Sequence, residues 1–483
     1  MFIGLDIGTS SVKAILLDEN QNLVGSASEP LTVQRPHPSW SEQDPDSWWT
    51  ACEAAMDRLA AEVPVAMAAV KGIGLSGHMH GATLLGADDR PLRPCILWND
   101  GRSAKQCAEL EVSEPKFLSL GGNRVMPGFT APKLQWVREN EPDVFAKTAK
   151  VLLPKEYVRL KLTGEHAGDM SDSAGTLWLD VAKRDWSEEL LAATGLTRDH
   201  MPRLVEGSES SGQLRAELCQ RWGMTSAPVV AGGGGDNAAS ACGVGATTPG
   251  SAFVSLGTSG VLFVTNDRFS PNVESAVHAF CHAVPDTWHQ MGVILSATDS
   301  LNWLAQTLGR KASDLTDGLG SVGSASDVLF MPYLGGERTP HNDVAIRAGF
   351  YGISHETDDK TLTHAVLDGV AFALKDCMEA LAVAGTKVER VTAVGGGSRS
   401  TVWLEIIASL LDVVVDVPAD GDFGASLGAA RLGQAAAQGS TDGIFGAPPM
   451  RTSIQPRSDL KQAYADAYGR WRTLYPALKQ AGF

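Results

Sequence analysis

The chain has 483 residues, 43% of them hydrophobic and 20% charged, with a formal net charge of −16. At roughly 150 residues per domain, that length predicts two to four domains with ample apolar residues for their cores. The acidic balance argues against a general nucleic-acid or acidic-membrane binder, which needs basic faces, but leaves room for a local positive pocket that takes phosphate.

The chain opens with "MFIGLDIGTSSVKAILLDE". An apolar run from Phe2 to Leu5 meets Asp6, then Gly8, Thr9 and Ser10 make a tight turn, and Lys13 leads into a second apolar run. This predicts a β-hairpin. Its turn offers N–H groups and hydroxyls to phosphate oxygens, Lys13 adds a point charge, and Asp6 can hold a magnesium ion through water. A plain hairpin with turn-stabilising hydroxyls accounts for the same residues. A helix over 46–62 follows, then a buried strand in "VKGIGLSGH". "GIGLSG" (72–77) satisfies GxGxxG, but "HMHGATLLGADD" follows it instead of an amphipathic helix, so a dinucleotide fold is rejected.

"GHMHG" (77–81) sets His78 and His80 on one strand face, with no third Cys or His at zinc spacing. A histidine between glycines can instead hydrogen-bond a hydroxyl or carbonyl. "ILWNDGR" (96–102) places Trp98, Asn99 and Asp100 where a strand turns into a loop. An aromatic face with an amide and a carboxylate suits a sugar; a core Trp followed by an Asn-Asp-Gly turn is the plainer reading. Residues 104–200 read as an insertion with a helix over 133–147. Strand "PVVAG" then runs through four glycines to Asp236 and the helix-like "NAASACGVG". A helix N-terminus stabilises a carboxylate there, and a simple N-cap is the alternative. The Gly/Pro-rich "GVGATTPGS" (243–251) marks a boundary between domains at 1–246 and 247–483.

The second half begins with an echo of the first, "AFVSLGTSGVLFVTND" at 252–267. Aligning Gly8-Thr9-Ser10 on Gly257-Thr258-Ser259 sets Asp6 against Ser255 and Lys13 against Leu262, so the second copy keeps the turn without the charges. Two such turns with one carboxylate look like two walls of a nucleotide cleft. "HAFCHAVPDTWH" (278–289) holds metal-ligand residue types, but Pro285 disfavours a helical pair and buried histidines are expected. Arg338 in "GGERTP" could reach a phosphate or serve a structural salt bridge. Helices over 299–309, 361–384 and 401–411 alternate with strands in "RVTAVGGGS" and "VVVDVP", an α/β pattern in both halves. Gly396, Gly397 and Ser398 form a glycine turn before a helix, where backbone can approach an anionic group. A helix from Asp459 to Leu478 ends the chain, with a return to the first domain left open. Seven cysteines without a CxxC pair, and no leader-like start, predict reduced thiols in a cytoplasmic protein. The absence of any Gly-Lys dipeptide excludes a P-loop.

Duplicated domains that each open on such a hairpin resemble the ribonuclease H-like ATPase fold of actin, hexokinase and Hsp70, with a cleft between the domains. "WSEQDPDSWW" (40–49), "GHMHGATLL" (77–85), "ILWNDGR", "MPGFTAPKLQWV" (126–137) and "GGGGDNAA" (232–239) narrow this to a resemblance to the FGGY carbohydrate kinases, and among them those acting on xylulose. The resemblance implies ATP-dependent phosphorylation of a ketopentose such as D-xylulose, with Asp236 as general base. It implies sugar contacts from Met79, His80, Trp98, Asn99, Asp100, Asp236 and Asn237. Nucleotide contacts fall to Gly8, Thr9, Ser10, Lys13, Gly257, Thr258, Ser259, Gly396, Gly397 and Ser398, and Mg2+ to Asp6 and Asp236. Two departures stand out: four glycines precede Asp236 where three are expected, and His78 replaces the family's usual Gln. Another ketose or polyol, such as ribulose or glycerol, remains open as substrate. An actin- or chaperone-like ATPase is the distant alternative. No nucleic-acid or membrane partner is expected, and a homodimer is left open.

Overall fold

Two seven-stranded sheets, one from each half of the chain, organise the computed structural model, which describes residues 1–419 and 424–482. In the first half, β1 (Phe2–Ile7), β2 (Ser11–Leu17) and β3 (Leu23–Pro30) form a meander, followed by α1 (Pro45–Glu62) and β4 (Gly72–Gly77). Helix α2 (Pro154–Thr163), β5 (Ser210–Gln213), β6 (Val229–Ala231) and α3 (Asp236–Val244) complete its frame. The strand order is β5-β6-β4-β1-β2-β3, with Gly234–Gly235 pairing beside β4. Strand β4 runs parallel to both β1 and β6, and α1 lies between β3 and β4 in the chain.

The second half repeats the opening meander with β7 (Ala252–Leu256), β8 (Gly260–Asn266), β9 (His278–Cys281) and β10 (Trp288–Ile294). Then come α4 (Thr298–Thr307), α5 (Asp359–Val383), β11 (Arg390–Val394), α6 (Thr401–Leu411), β12 (Val414–Pro418), α7 (Gly424–Gln438) and β13 (Met450–Ile454). Its order is β9-β10-β8-β7-β11-β12-β13. Both halves are α/β, as the sequence pattern predicts.

Period-two alternation explains the layers. On β1 and β2, Ile3, Leu5, Ile7, Val12, Ala14 and Leu16 face the core built on Trp48, Met56 and Leu59 of α1. The opposite face of the first sheet is stripped to glycine where β1 meets β4, with Gly4 paired with Gly74 and Gly72 beside Phe2, while Ile15 and Leu17 of β2 pack against Ala430. Helix α7 of the second half lies directly on it. A Cβ on Gly74 would sit 1.7 Å from the Ala429 carbonyl oxygen, and one on Gly4 would sit 2.0 Å from that of Ser426. In the second sheet, Val254, Leu256, Leu262 and Val264 enter a core with Val366 and Val370 of α5. Its other face carries Phe253 and Phe263, stacked at 4.7 Å, and packs on Ala241 and Val244 of α3 and on Leu134 and Trp178 of the 104–200 segment.

Two helix expectations are corrected. The helix expected over 133–147 is split into Thr130–Asn140 and Pro142–Lys147, because a proline disfavours helical backbone at the residue before it. The C-terminal helix is also split, into α8 (Lys461–Arg472) and α9 (Leu474–Gln480). It does not return to the first domain. Tyr464, Ala467, Tyr468 and Trp471 share one helical face and join the second core, where Trp471 Nε1 donates to the Phe330 carbonyl at 2.8 Å. The element that crosses to the first sheet is α7. All seven cysteines are unpaired and buried. Among the described residues no helix is long and apolar enough to cross a membrane.

Candidate active site

Asp6 and Lys13 lie directly across the β1–β2 ladder, so both side chains leave the same face at the strand ends. The parallel β4 sets Ser76 beside Asp6. In the turn, Gly8 N–H donates to the Ser11 carbonyl at 3.0 Å. The Thr9 hydroxyl accepts from Trp98 Nε1 at 3.0 Å and the Thr9 carbonyl from Gln43 Nε2 at 2.8 Å. Ser10 is exposed. The turn thus fixes the indole of Trp98, which stays 43% exposed, over the cavity described below.

The second hairpin is one residue tighter. Ile7 pairs with Val12 in the first copy, whereas Leu256 pairs with Gly260 in the second. The residue facing Ser255 is therefore Val261, not the Leu262 that sequence alignment sets against Lys13; Leu262 is buried in the second core. The Gly257 and Thr258 carbonyls accept the N–H groups of Thr298 (2.9 Å) and Ala297 (2.8 Å), satisfying donors at the start of α4. The loop Gly396–Ser398 is pressed onto this turn: a Cβ on Gly397 would fall 2.7 Å from that of Leu256. Residues 257–259 and 396–398 therefore form one continuous surface of turns.

Asp236 is reached through the four glycines, and close packing explains the run. Gly233 has φ +74, and a Cβ there would be 2.1 Å from the Leu75 carbonyl oxygen. Gly235 leaves room for the Met79 side chain, whose Cγ would lie 2.8 Å from an added Cβ. Asp236 is the first residue of α3 and Gly235 is its N-cap, which replaces the expectation of Asp236 as N-cap. Its Oδ1 accepts from the Asn237 backbone N–H (2.7 Å) and amide Nδ2 (2.9 Å). Burial, and then the nearby Asp6 carboxylate, push the Asp236 carboxyl up to about 6. Burial also raises Asp6, opposed by the Ser76 hydroxyl and Lys13. Two mutually repelling carboxylates with hard oxygen donors suit a divalent cation that keeps most of its water and phosphate ligands.

A buried ion cluster braces the glycine loop from behind, and the sequence reading missed it. Gly235 N–H donates to Ser171 Oγ (3.1 Å), which donates to Asp169 Oδ2 (2.5 Å). Lys155 Nζ lies 2.6 Å from Asp169 Oδ1 and 2.8 Å from Asp172, all three side chains fully buried. Arg159 donates to the Gly232 carbonyl. The available signal was the charged residues inside the otherwise apolar "LLPKEYVRLKL" and the "GDMSDS" that follows.

Between the halves is a cavity of about 290 Å³. From the first half it is lined by Met79, His80, Trp98, Phe129, Asp236 and Asn237. From the second, the inward alternation of β7 to β10 supplies Ser255, Val261, His278, Phe280, Met291 and Val293, joined by Ser259 and Arg338. Phe129, Met126 and Gly128 come from "MPGF", a stretch without an assigned role in the sequence. Strand β4 ends at Gly77, so His78 and His80 do not share a strand face. His80 is in the left-handed region (φ +70), with Nδ1 2.7 Å from the Gly175 carbonyl and its ring edge-on to Phe129. Burial, then Lys133, lowers its pKa to about 3. Lys133 Nζ donates to the His80 carbonyl at 2.8 Å and the Gly128 carbonyl at 2.6 Å. Burial lowers this lysine to about 7. His78 packs edge-on against Trp48 outside the cavity.

Of the Trp98-Asn99-Asp100 trio, only Trp98 lines the cavity. Asn99 is exposed beyond it. Asp100 is buried and committed, accepting from the Ser41 N–H (2.6 Å) and from Arg102 Nε (2.9 Å) and Nη2 (2.7 Å). It secures the turn and has no free oxygen to offer a sugar. The "HAFCHAVPDTWH" histidines are buried, His282 being pushed down to about 4 and His289 stacked on Phe263 at 4.5 Å. Among the described residues no three His, Cys, Asp or Glu side chains converge on a metal position.

Comparison with known proteins bears on the same two halves. Residues 1–243 match the N-terminal domain of the FGGY family of carbohydrate kinases and residues 252–437 its C-terminal domain. The chain is 48% identical to the xylulose kinase of Escherichia coli K12, covering 99% of both proteins. It is 47% identical to that of Klebsiella pneumoniae, again over 99% of each. The crystal structure of a xyloylose kinase from Brucella ovis superposes with a TM-score of 0.98 at 57% identity, covering 99% of both chains. A cleft assembled by both matched halves, together with full-length relatives of this closeness, establishes that the chain belongs to the FGGY family of carbohydrate kinases, enzymes that transfer a phosphoryl group from ATP to a sugar.

Proposed function

We propose that the chain phosphorylates D-xylulose at its primary hydroxyl, using ATP and magnesium, to give D-xylulose 5-phosphate. One observation carries the reading: Asp236, a carboxylate raised to about 6, shares one cavity with His80 and Trp98 and with the Ser259 turn of the other half. The curated relatives of near-equal length, which are xylulose kinases, support the choice of sugar.

The side chains divide the work by their chemistry. Asp236 accepts the proton of the attacking hydroxyl, and a carboxylate poised near neutrality suits that task. Asn237 holds one Asp236 oxygen and leaves the other free. The His80 Nδ1 faces a carbonyl and so carries the proton, which leaves Nε2 as an acceptor for a sugar hydroxyl. Trp98 gives its face to the C–H side of the ligand. The turns at 8–10, 257–259 and 396–398, with Lys13, serve the nucleotide. Asp6 and Asp236 would hold magnesium, which neutralises phosphate charge. Seven unpaired thiols favour a reducing, cytoplasmic setting.

The test is product identification after incubation with ATP, magnesium and D-xylulose, beside D-ribulose and glycerol. D-Xylulose 5-phosphate as the preferred product is expected. Preference for another acceptor would replace the sugar, and ATP hydrolysis indifferent to any sugar would replace the activity. Asp6→Ala should raise the magnesium needed for half-maximal rate about tenfold while slowing transfer. Unaltered metal dependence at full rate would remove Asp6 from the metal site.

A further inference from the structure

We infer that Arg338 donates to the carbonyl oxygen of a ketose, and that it makes the site prefer ketoses to the corresponding polyols. This rests on the kinase reading above and adds a residue that the sequence left between a phosphate contact and a structural salt bridge.

Arg338 lines the cavity from the second half, yet it makes no ion pair among the described residues. Its neighbour Glu337 turns one carboxylate oxygen to the N–H groups of Leu295 (2.9 Å) and of Arg338 itself (2.7 Å), while its buried Oε2 has no hydrogen-bond partner among the described residues and burial pushes the carboxyl up to about 8. Among the described residues, its one side-chain hydrogen bond runs from Nη1 to Nε2 of His278, at 3.3 Å.

The direction of that bond is fixed from the first half of the chain. Asn123 Nδ2 donates to the Gly121 (2.8 Å) and Ala279 (3.0 Å) carbonyls, so its Oδ1 must be an acceptor. His278 Nδ1, 2.9 Å from that oxygen, therefore carries the proton. Nε2 is left with a lone pair, which takes one guanidinium proton. Five N–H donors and no acceptor make up a guanidinium, so the rest of Arg338 presents donors alone to the cavity.

The corner it faces is aromatic. His278 stacks on Phe280, and Phe129 sets its edge against both His278 and His80. Arg338 forms no ion pair with Asp236, whose charged neighbour is Asp6. The oxygen bound by Arg338 is thus separate from the hydroxyl that reacts at Asp236. A ketone oxygen is an acceptor without a proton and matches the free N–H groups of the Arg338 guanidinium. A polyol places a hydroxyl there, whose proton can go neither to Arg338 nor to the His278 lone pair that Arg338 occupies, and must compete with the other hydroxyls of the ligand for acceptors such as His80 Nε2. A buried donor left unpaired costs about 10–10²-fold in relative binding.

The decisive measurement is kcat/KM for D-xylulose and for xylitol in the wild type and in Arg338→Gln, with KM for ATP and thermal melting alongside. Glutamine supplies an acceptor as well as a donor. The variant should lose about 10²-fold on the ketose and narrow the ketose-to-polyol ratio about tenfold, with KM for ATP unchanged. Arg338→Lys should restore part of the ketose rate without restoring the ratio fully, because it keeps charge but not the planar fork. Asn123→Leu, which releases the His278 proton, should erode the ratio in the same direction by less. Equal losses on both acceptors, or a loss confined to KM for ATP, would overturn the inference and make Arg338 a packing or phosphate residue. A wild type that leaves D-xylulose untouched would overturn the activity beneath it, whereas an active wild type with an unchanged ratio in Arg338→Gln would sink the inference alone.

Discussion

The two hairpins share Gly-Thr-Ser turns but have opposite interfaces. Toward the cleft, the first copy presents Gly4 and Asp6 where the second presents Phe253 and Ser255. Gly4, with Gly72 and Gly74, lets α7 lie at backbone contact on the first sheet. Phe253 and Phe263 fill space against α3 and the insertion. The charged tip accompanies the face that glycines open to α7, so the duplication has split into a carboxylate-bearing wall and a neutral, aromatic-backed wall. Asp236, at the end of the first half's glycine loop, adds the second carboxylate to the same side.

If that asymmetry places all proton chemistry in the first half, its largest consequence is in Asp236. Asp236→Asn should leave sugar affinity largely intact while kcat falls by about 10²–10⁴, the scale of one general base. Isothermal titration with the sugar beside steady-state kinetics checks both parts, and near-normal turnover would move the base elsewhere.

The shorter second turn makes a sharper test. Leu262 is fully buried, whereas Val261 lines the cavity opposite Ser255. Leu262→Lys should lose about 3–5 kcal/mol of stability by burying an unpaired charge. Val261→Lys, the true positional counterpart of Lys13, should lose far less and express as a folded protein. Chemical denaturation of the two variants compares them directly, and equal losses would mean that the strand faces are exchanged.

That pair of residues also shows where the sequence was and was not legible. The repeat, the strands and the α/β alternation were visible because period-two apolar runs and Gly-Thr-Ser turns are local signals. The register was not, because a one-residue difference in turn length exchanges the faces of a strand while leaving its composition unchanged. Asp236 and His80 were legible from glycine-flanked motifs, and both line the cavity. Asp100 was read as a sugar ligand because the Ser41 amide, 59 residues away, meets it only in the fold, although its other partner Arg102 stands in the same motif. His278 was read only as a buried histidine, and Arg338 stayed between a phosphate contact and a structural salt bridge, for the same reason: the Asn123 that orients them is 155 residues away from His278 in the chain. The Lys155–Asp169–Asp172 cluster behind the glycine loop likewise needs three-dimensional proximity to be seen.

The glycine contact between the first sheet and α7 predicts a moderate effect on stability. Gly74→Ala adds a methyl that would meet the Ala429 carbonyl oxygen at 1.7 Å, and the obstacle is backbone that cannot rotate away. About 1–3 kcal/mol should be lost as α7 is pushed off the sheet. A melting temperature within a degree of wild type would show that the helix does not depend on close approach.

The smallest expected effect is a shift in a pH profile, and it tests the division of charge between the two hairpins most directly. Protonated Asp236 cannot accept a proton, so kcat/KM at limiting nucleotide, which reports the free enzyme, should fall below about pH 6 and level off above it. Burial is the main cause of the raised value and the Asp6 carboxylate is the next, so neutralising Asp6 favours the ionised form of Asp236. In Asp6→Asn the acid limb should therefore move to lower pH, even as the maximal rate drops. Ser255→Ala changes the matching position of the second hairpin, which carries no charge, and should leave the limb where it is. A limb that stays put in Asp6→Asn, or moves in Ser255→Ala, would mean that the two walls do not divide the electrostatics as their sequences divide the charges.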